Sequence, residues 1–167
     1  MEQLYFATAE YQATSYLVIS SHKGVVYLGV KEQAQVEIEK YFKQIHLIED
    51  ERTNRFALQQ LTEYFSGKRQ VFDCPLDLRG TAFQKRVWQE LLKVPFGQTS
   101  TYSELAENIG QLKGVRAVAN AVGRNPVMII TPCHRIIGKN GRLTGYRGGL
   151  SLKRRLLELE GIDTQKM

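Results

Sequence analysis

Thr101-Tyr102-Ser103-Glu104-Leu105-Ala106-Glu107-Asn108-Ile109-Gly110-Gln111-Leu112-Lys113-Gly114-Val115-Arg116-Ala117-Val118-Ala119-Asn120-Ala121-Val122-Gly123 is the stretch on which the fold turns. Thr101 and Glu104 make a capping box that opens a short helix to about Ile109. Gly110 to Gly114 interrupt it, and a second helix runs from Val115 to about Gly123. Two short helices joined by a glycine-containing turn are a helix-turn-helix candidate, although any pair of short packed helices has this pattern. On the second helix Val115, Val118 and Val122 share one face and are expected to pack inward. Arg116, Ala117, Asn120, Ala121 and Arg124 fall on the opposite face, which is small and basic with few side chains able to read base edges. Two readings stay open for it. It is a lightly decorated surface, or it approaches a nucleic-acid groove by shape with its arginines on phosphate or in the base stack.

About ten residues downstream stands Thr131-Pro132-Cys133-His134-Arg135. A cysteine becomes a strong nucleophile when a neighbouring base or cation holds it as thiolate. Pro132 fixes its own φ and pushes Thr131 towards extended geometry, so the thiol belongs on a stiff turn rather than in a helix. Charge points the same way. Residues 1–75 carry 8 Lys and Arg against 10 Asp and Glu, whereas residues 76–167 carry 15 against 7. The cationic half holds the Cys-His pair, and such a field suits a polyanion or is simply a solvated basic surface.

The first half reads as a small α+β domain, residues 1–75. Tyr16 to Ile19 and Val25 to Val30 form a hairpin, and helices are expected over Glu32 to Ile45 and Thr53 to Phe65. His22 and His46 read as structural or solvated, and Cys74 as buried. Residues 76–80 are the expected linker. A second domain, 81–167, opens with a capping box at Thr81 and Gln84, followed by a stripe of Phe83, Val87, Trp88, Leu91 and Leu92 that ends at Pro95. A last helix runs from about Ser151 to Gly161. At 167 residues with 2 Cys and 3 His, a disulfide framework and a zinc site are both unexpected. No stretch approaches the roughly 20 apolar residues of a membrane span, and the N-terminus has no signal pattern. The expectation is a cytoplasmic, monomeric protein with no metal, no cofactor and no membrane partner.

Residues 81–161 resemble the O6-alkylguanine-DNA alkyltransferases (methylated-DNA–protein-cysteine methyltransferases). The matching segments are Phe83-Gln84, Val87-Trp88, Val94-Pro95-Phe96-Gly97, Thr101-Tyr102, Arg116-Ala117-Val118, Arg124-Asn125-Pro126, Ile130 to Arg135, Gly145 to Leu150 and Leu156 to Gly161, in family order. The resemblance implies an α+β chain whose first domain is RNase H-like and whose second is helical, with a winged-helix-like helix-turn-helix. It implies DNA repair by direct damage reversal: a single irreversible transfer of an alkyl group from O6-alkylguanine in double-stranded DNA to Cys133, with O4-alkylthymine left open.

The same resemblance implies the roles. His134 is the base that deprotonates Cys133 through a water, and Glu160 orients that histidine; taken alone, Glu160 is a helix-end carboxylate. Tyr102 rotates a phosphate and helps protonate the leaving base. Arg116 fills the stack vacated by the flipped nucleotide, with Ala117, Asn120, Arg124 and Arg135 on DNA. The substrate pocket comprises Asn125, Pro132, Ile136, Tyr146, Arg147 and Gly148, and the carbonyls around Cys133 and Ile136 accept from the guanine 2-amino group. Two positions depart from some relatives: Arg147, where a small hydroxyl residue occurs, and Asn120, where a small residue occurs. They bear on substrate preference. The competing readings are a non-catalytic sensor of alkylated DNA, which would lack the acceptor cysteine; a helix-turn-helix regulator, which leaves the Cys-His turn unexplained; and a cysteine hydrolase, which has no use for Arg116 and Tyr102.

Overall fold

The computed structural model describes residues 1–167 and gives a mixed α+β chain in two units, Met1–Arg79 and Gly80–Met167. In the first unit, β1 (Glu2–Tyr11), β2 (Thr14–Ser20) and β3 (Val25–Val30) form an antiparallel meander. β4 (Ile45–Glu49) adds to the other edge of β1 in parallel, so the strand order is β3-β2-β1-β4. The β2–β3 hairpin is the one the sequence predicts; β1 and β4 are not predicted. The turn from β1 into β2 uses Gln12 and Ala13 at φ 51° and 60°, without the Asn-Gly or Asp-Gly that marks such turns in a sequence.

β4 begins at Ile45, the residue to which the sequence extends the first helix. α1 (Lys31–Tyr41) stops earlier, Phe42 is extended, and Gln44 turns the chain at φ 52°. Ile45 fits both the helical phase and strand alternation, so periodicity does not mark the stop. α2 (Glu51–Phe65) starts two residues before the predicted Thr53, because the Asp50 carboxylate accepts from the Arg52 N–H at 2.8 Å. Buried Asn54 fastens this helix to the sheet, donating to the Tyr5 carbonyl and accepting from the Ser20 hydroxyl. Leu4, Leu17, Ile19, Val26, Tyr27, Ala34 and Phe42 form the core beneath α1.

Residues 76–79, read from the sequence as a linker, are part of this unit. Leu76 bridges Val25 in parallel, the Asp77 N–H donates to the Val25 carbonyl, and Arg79 holds both carboxylate oxygens of Glu2 at 2.7 Å.

In the second unit both predicted capping boxes form, at Thr81/Gln84 for α3 (Ala82–Leu91) and Thr101/Glu104 for α4 (Tyr102–Asn108). α5 (Val115–Gly123) follows a short 3-10 turn. Trp88 Nε1 donates to the Ala121 carbonyl at 2.8 Å and ties α3 to α5. Ala121 is therefore buried, which corrects its expected place on the outer face. It lies three residues after Val118 and so shares the inward stripe. The short strands β5 (Ser100–Thr101) and β6 (Ile136–Ile137) pair in parallel and set the Cys133 turn beside the start of α4. α6 (Leu150–Leu159) completes the unit; Glu160 is its C-cap and Gly161, at φ 84°, ends it.

Gly24 lies against the 75–77 segment, where a Cβ would stand 2.5 Å from the Pro75 carbonyl oxygen. That oxygen is already held by the Val25 N–H, so backbone would have to move. Gly24→Ala is expected to destabilise the protein by about 1–3 kcal/mol in denaturant unfolding. An unchanged midpoint would mean that the segment yields freely.

Candidate active site

The loop leading to Cys133 is built around the side chain of Asn125. Buried at 1 % exposure, it accepts from the Val127 N–H at 3.0 Å and donates to the Thr131 carbonyl at 2.8 Å. Between these anchors Ile129 sits at φ 71°, a left-handed conformation that costs a β-branched residue roughly 1–3 kcal/mol. Pro132 (φ −83°, ψ 63°) then tightens the chain, the Cys133 N–H donates to the Thr131 carbonyl at 2.8 Å, and Cys133–Arg135 form one 3-10 turn. The thiol is thus carried by a turn fixed at both ends. It lines a cavity of about 320 Å³ together with Tyr102, Ala119, Val122, Asn125, Tyr146 and Arg147.

Beside it, His134 is fully buried with Nε2 at 2.5 Å from Glu160 Oε2, while Nδ1 makes no hydrogen bond to any protein group. Glu160 also accepts from Arg135 Nε at 2.8 Å and Nη2 at 3.1 Å, and from the Gly97 N–H at 3.1 Å. Since a carboxylate only accepts, Nε2 carries the proton and Nδ1 keeps a lone pair. Burial holds the imidazole below its ordinary pKa against the opposing pull of Glu160, so it is neutral near neutral pH. Burial also acts to raise Glu160, but the hydrogen bonds from His134 and Arg135 and the charge of Arg135 outweigh it and bring the carboxyl down to about 2. Arg135, always charged, keeps that carboxylate ionised beside a neutral ring. Burial raises the Cys133 thiol too, opposed by the Asn125 amide and by the charges of Arg147 and Lys153. At rest the group is a thiol, a neutral imidazole and a carboxylate.

The first residue of α4 is Tyr102, whose hydroxyl shares a 2.9 Å hydrogen bond with Thr144. Burial raises its pKa, which keeps the phenol protonated and able to donate. Arg116, Ala117, Asn120 and Arg124 are exposed along α5 and its C-cap.

Other expected site residues lie elsewhere. Arg135, expected on DNA, is turned inward: it is 5 % exposed, its guanidinium is taken up by Glu160 and the Val94 carbonyl, and the Phe96 ring centroid lies 5.9 Å away. The Ile136 carbonyl, expected to face the base, accepts from Lys153 Nζ at 2.6 Å instead. Pro132 and Gly148 do not line the cavity. Gly148 packs behind it, where a Cβ would stand 2.6 Å from Leu152. Cys74 belongs to the first unit, and burial pushes its thiol up to about 11.

The sequence did not point to Thr144 or Lys153. A signal for Lys153 exists, because it falls on the apolar stripe of α6 with Leu152, Leu156 and Leu157. Glu160 makes a prediction possible. Its folded pKa lies below the ordinary 4.5, so its stabilisation is complete above about pH 4.5 and is lost as pH falls towards 2. Glu160→Gln is expected to remove that acid-sensitive component and to cost about 3–5 kcal/mol at neutral pH, because Arg135 keeps a buried charge without its partner. Urea unfolding of both proteins across the acid range checks this; parallel stability curves would count against it.

Residues 82–162 match the family model described as the DNA-binding domain of 6-O-methylguanine DNA methyltransferase. The chain is 41% identical over 168 residues to the inducible methylated-DNA–protein-cysteine methyltransferase of Bacillus subtilis, covering 98% of this chain and 94% of that protein. With the methylated-DNA–protein-cysteine methyltransferase of Methanosarcina acetivorans it shares 43% identity over 159 residues, 95% of this chain and 99% of that one. The crystal structure of Mycobacterium tuberculosis O6-methylguanine methyltransferase superposes with a TM-score of 0.84 at 41% identity, over 94% of this chain and 92% of that one. A second Mycobacterium tuberculosis structure, in complex with DNA, gives 0.81 at 40%, over 95% and 92%. The likeness extends through both units, and the family model spans the Cys133 turn, so the chain belongs to the methylated-DNA–protein-cysteine methyltransferase family.

Proposed function

We propose that this chain repairs DNA by direct reversal, moving the alkyl group of O6-alkylguanine onto Cys133. The observation that carries this reading is Cys133 lining a cavity of about 320 Å³ beside a neutral His134 whose Nδ1 has no protein partner. That volume is at the lower end of ligand pockets, roughly 300–1,000 Å³, and suits a single base. His134 takes the thiol proton through a water, held in the right tautomer by Glu160. The thiolate attacks the alkyl carbon; the carbon–sulfur bond forms as the carbon–O6 bond breaks. The leaving guanine recovers a proton, with the Tyr102 phenol, steadied by Thr144, as donor at the cavity wall, and the proton taken up by His134 then passes through water to the phenolate. Thiol and alkylguanine become thioether and guanine. Water and ordinary thiols do not cleave a thioether, so each molecule acts once.

Guanine O6 lies inside the duplex, and extruding the nucleotide costs a few kcal/mol. The exposed α5 face supplies the docking surface: Arg116 enters the vacated stack, and Ala117 and Asn120 allow close approach while Arg124 meets phosphate. DNA binding agrees with the family's DNA-binding domain over 82–162. No helix is long and apolar enough to cross a membrane. On this reading the protein is a cytoplasmic monomer with an RNase H-like first unit and a winged-helix-like second one.

After incubation with excess O6-methylguanine duplex, intact-protein mass is expected to rise by one methyl, which peptide mapping places on Cys133. Cys133→Ala is expected to abolish transfer while keeping DNA binding. Tight binding with unchanged mass in the native protein would leave a lesion sensor in place of a repair enzyme. Arg116→Ala should slow repair of duplex far more than reaction with a free alkylated base, and equal losses on both would remove its role in flipping.

A further inference from the structure

Lys153 is a buried charge that the scheme above leaves unused. It sits on α6 at 0 % exposure, among Leu152, Leu156 and Leu157. Its Nζ donates to the carbonyls of Ile136 at 2.6 Å and Thr144 at 3.3 Å, and no carboxylate pairs with it. The nearest buried carboxylate, Glu160, is engaged by His134 and Arg135. Burying an ammonium without a counter-charge costs several kcal/mol, which two neutral carbonyls offset only in part.

Burial accordingly lowers the lysine to about 8, and Cys133 is the only ionisable group that acts on it in the opposite sense. The influence is mutual, since Lys153 favours the ionised Cys133 thiol. The other titratable or charged groups around the pair are His134 and Arg135 from the 3-10 turn, Glu160 from the end of α6, Arg147 from the following loop and Tyr102 from α4. Arg147, at the cavity wall, also favours the ionised thiol and does so at least as strongly, but it belongs to a part-exposed loop, whereas Lys153 acts from a fully buried position on α6.

We propose that Lys153 is the counter-cation of the Cys133 thiolate, a positioning residue whose buried charge meets its partner only when the thiol ionises. At rest the thiol is neutral and the ammonium is held by carbonyls alone. Transfer of the thiol proton to His134 creates the anion, and the Lys153–Cys133 pair then offsets part of the cost of charging a buried sulfur. Alkylation makes the sulfur a neutral thioether and ends the pairing. Through Thr144 the same amine also holds the loop whose hydroxyl orients Tyr102. This deepens the alkyl-transfer reading and rests on it for its catalytic consequence, although not for its first measurement.

That measurement is the pH dependence of Cys133 alkylation by iodoacetamide, in native protein and in Lys153→Met, with Cys74→Ser in both. The thiol midpoint is expected to rise by one unit or more in Lys153→Met, a tenfold loss of thiolate at a given pH. An unmoved midpoint in a folded variant overturns the proposal. Single-turnover transfer from O6-methylguanine duplex should fall in proportion. In native protein it should also decline above about pH 8, as Lys153 loses its proton; a decline that persists unchanged in Lys153→Met counts against the proposal.

Should Lys153→Met fail to fold, the reciprocal experiment leaves the lysine intact. Followed by NMR, Lys153 should titrate at lower pH in Cys133→Ser than in native protein, and equal midpoints overturn the pairing. A shifted thiol midpoint in a protein that leaves no methyl on Cys133 would uphold the lysine's role and sink the alkyl-transfer reading.

Discussion

The carboxylate of Glu160 is the interaction on which the second unit depends. A buried carboxylate is tolerated only when its lone pairs are met, and here the donors come from two segments far apart in sequence, Gly97 and the adjacent His134 and Arg135, which meet at the end of α6. Satisfying one charge therefore fixes the 94–97 loop, the catalytic turn and the last helix together. Gly97 takes part for a steric reason as well. It sits at φ 77°, and a Cβ there would stand 3.3 Å from the Glu160 carbonyl oxygen.

Around this anchor the thiol and the imidazole are neutral at rest, among the charges of Lys153, Arg147 and the Arg135–Glu160 pair. Burial keeps the thiol protonated and the imidazole uncharged. Since the thiolate and not the thiol is the reactive form, a cysteine used only once is protected from oxidation until its proton is drawn off. The price is a strained approach, with Ile129 held at positive φ between the two hydrogen bonds of Asn125. Strain of this kind persists only where the surroundings over-determine the backbone.

Local chemistry explains what was legible. Both capping boxes, the β2–β3 hairpin, the limits of α5 and the position of Glu160 at a helix end follow from residues within a few places of one another. What escaped depended on distant partners. The β1–β2 turn has no turn residues, and Ile45 suits a helix and a strand alike. Residues 76–79 look like a linker until Val25 and Glu2 are seen to hold them.

By itself the sequence determined the acceptor cysteine, its neighbouring histidine and, Ala121 excepted, the exposed face of α5, because each is a local arrangement of residue types. Only the tertiary structure decided where the long cations go. Arg135, expected on DNA, turns inward to Glu160, and Lys153, which nothing singled out, lies beneath the thiol turn with only carbonyls for partners. Both side chains are long and flexible, and sequence position does not determine whether such a chain ends in water or in the interior. That depends on which acceptors the fold brings within reach, because a buried charge goes only where it can be paired.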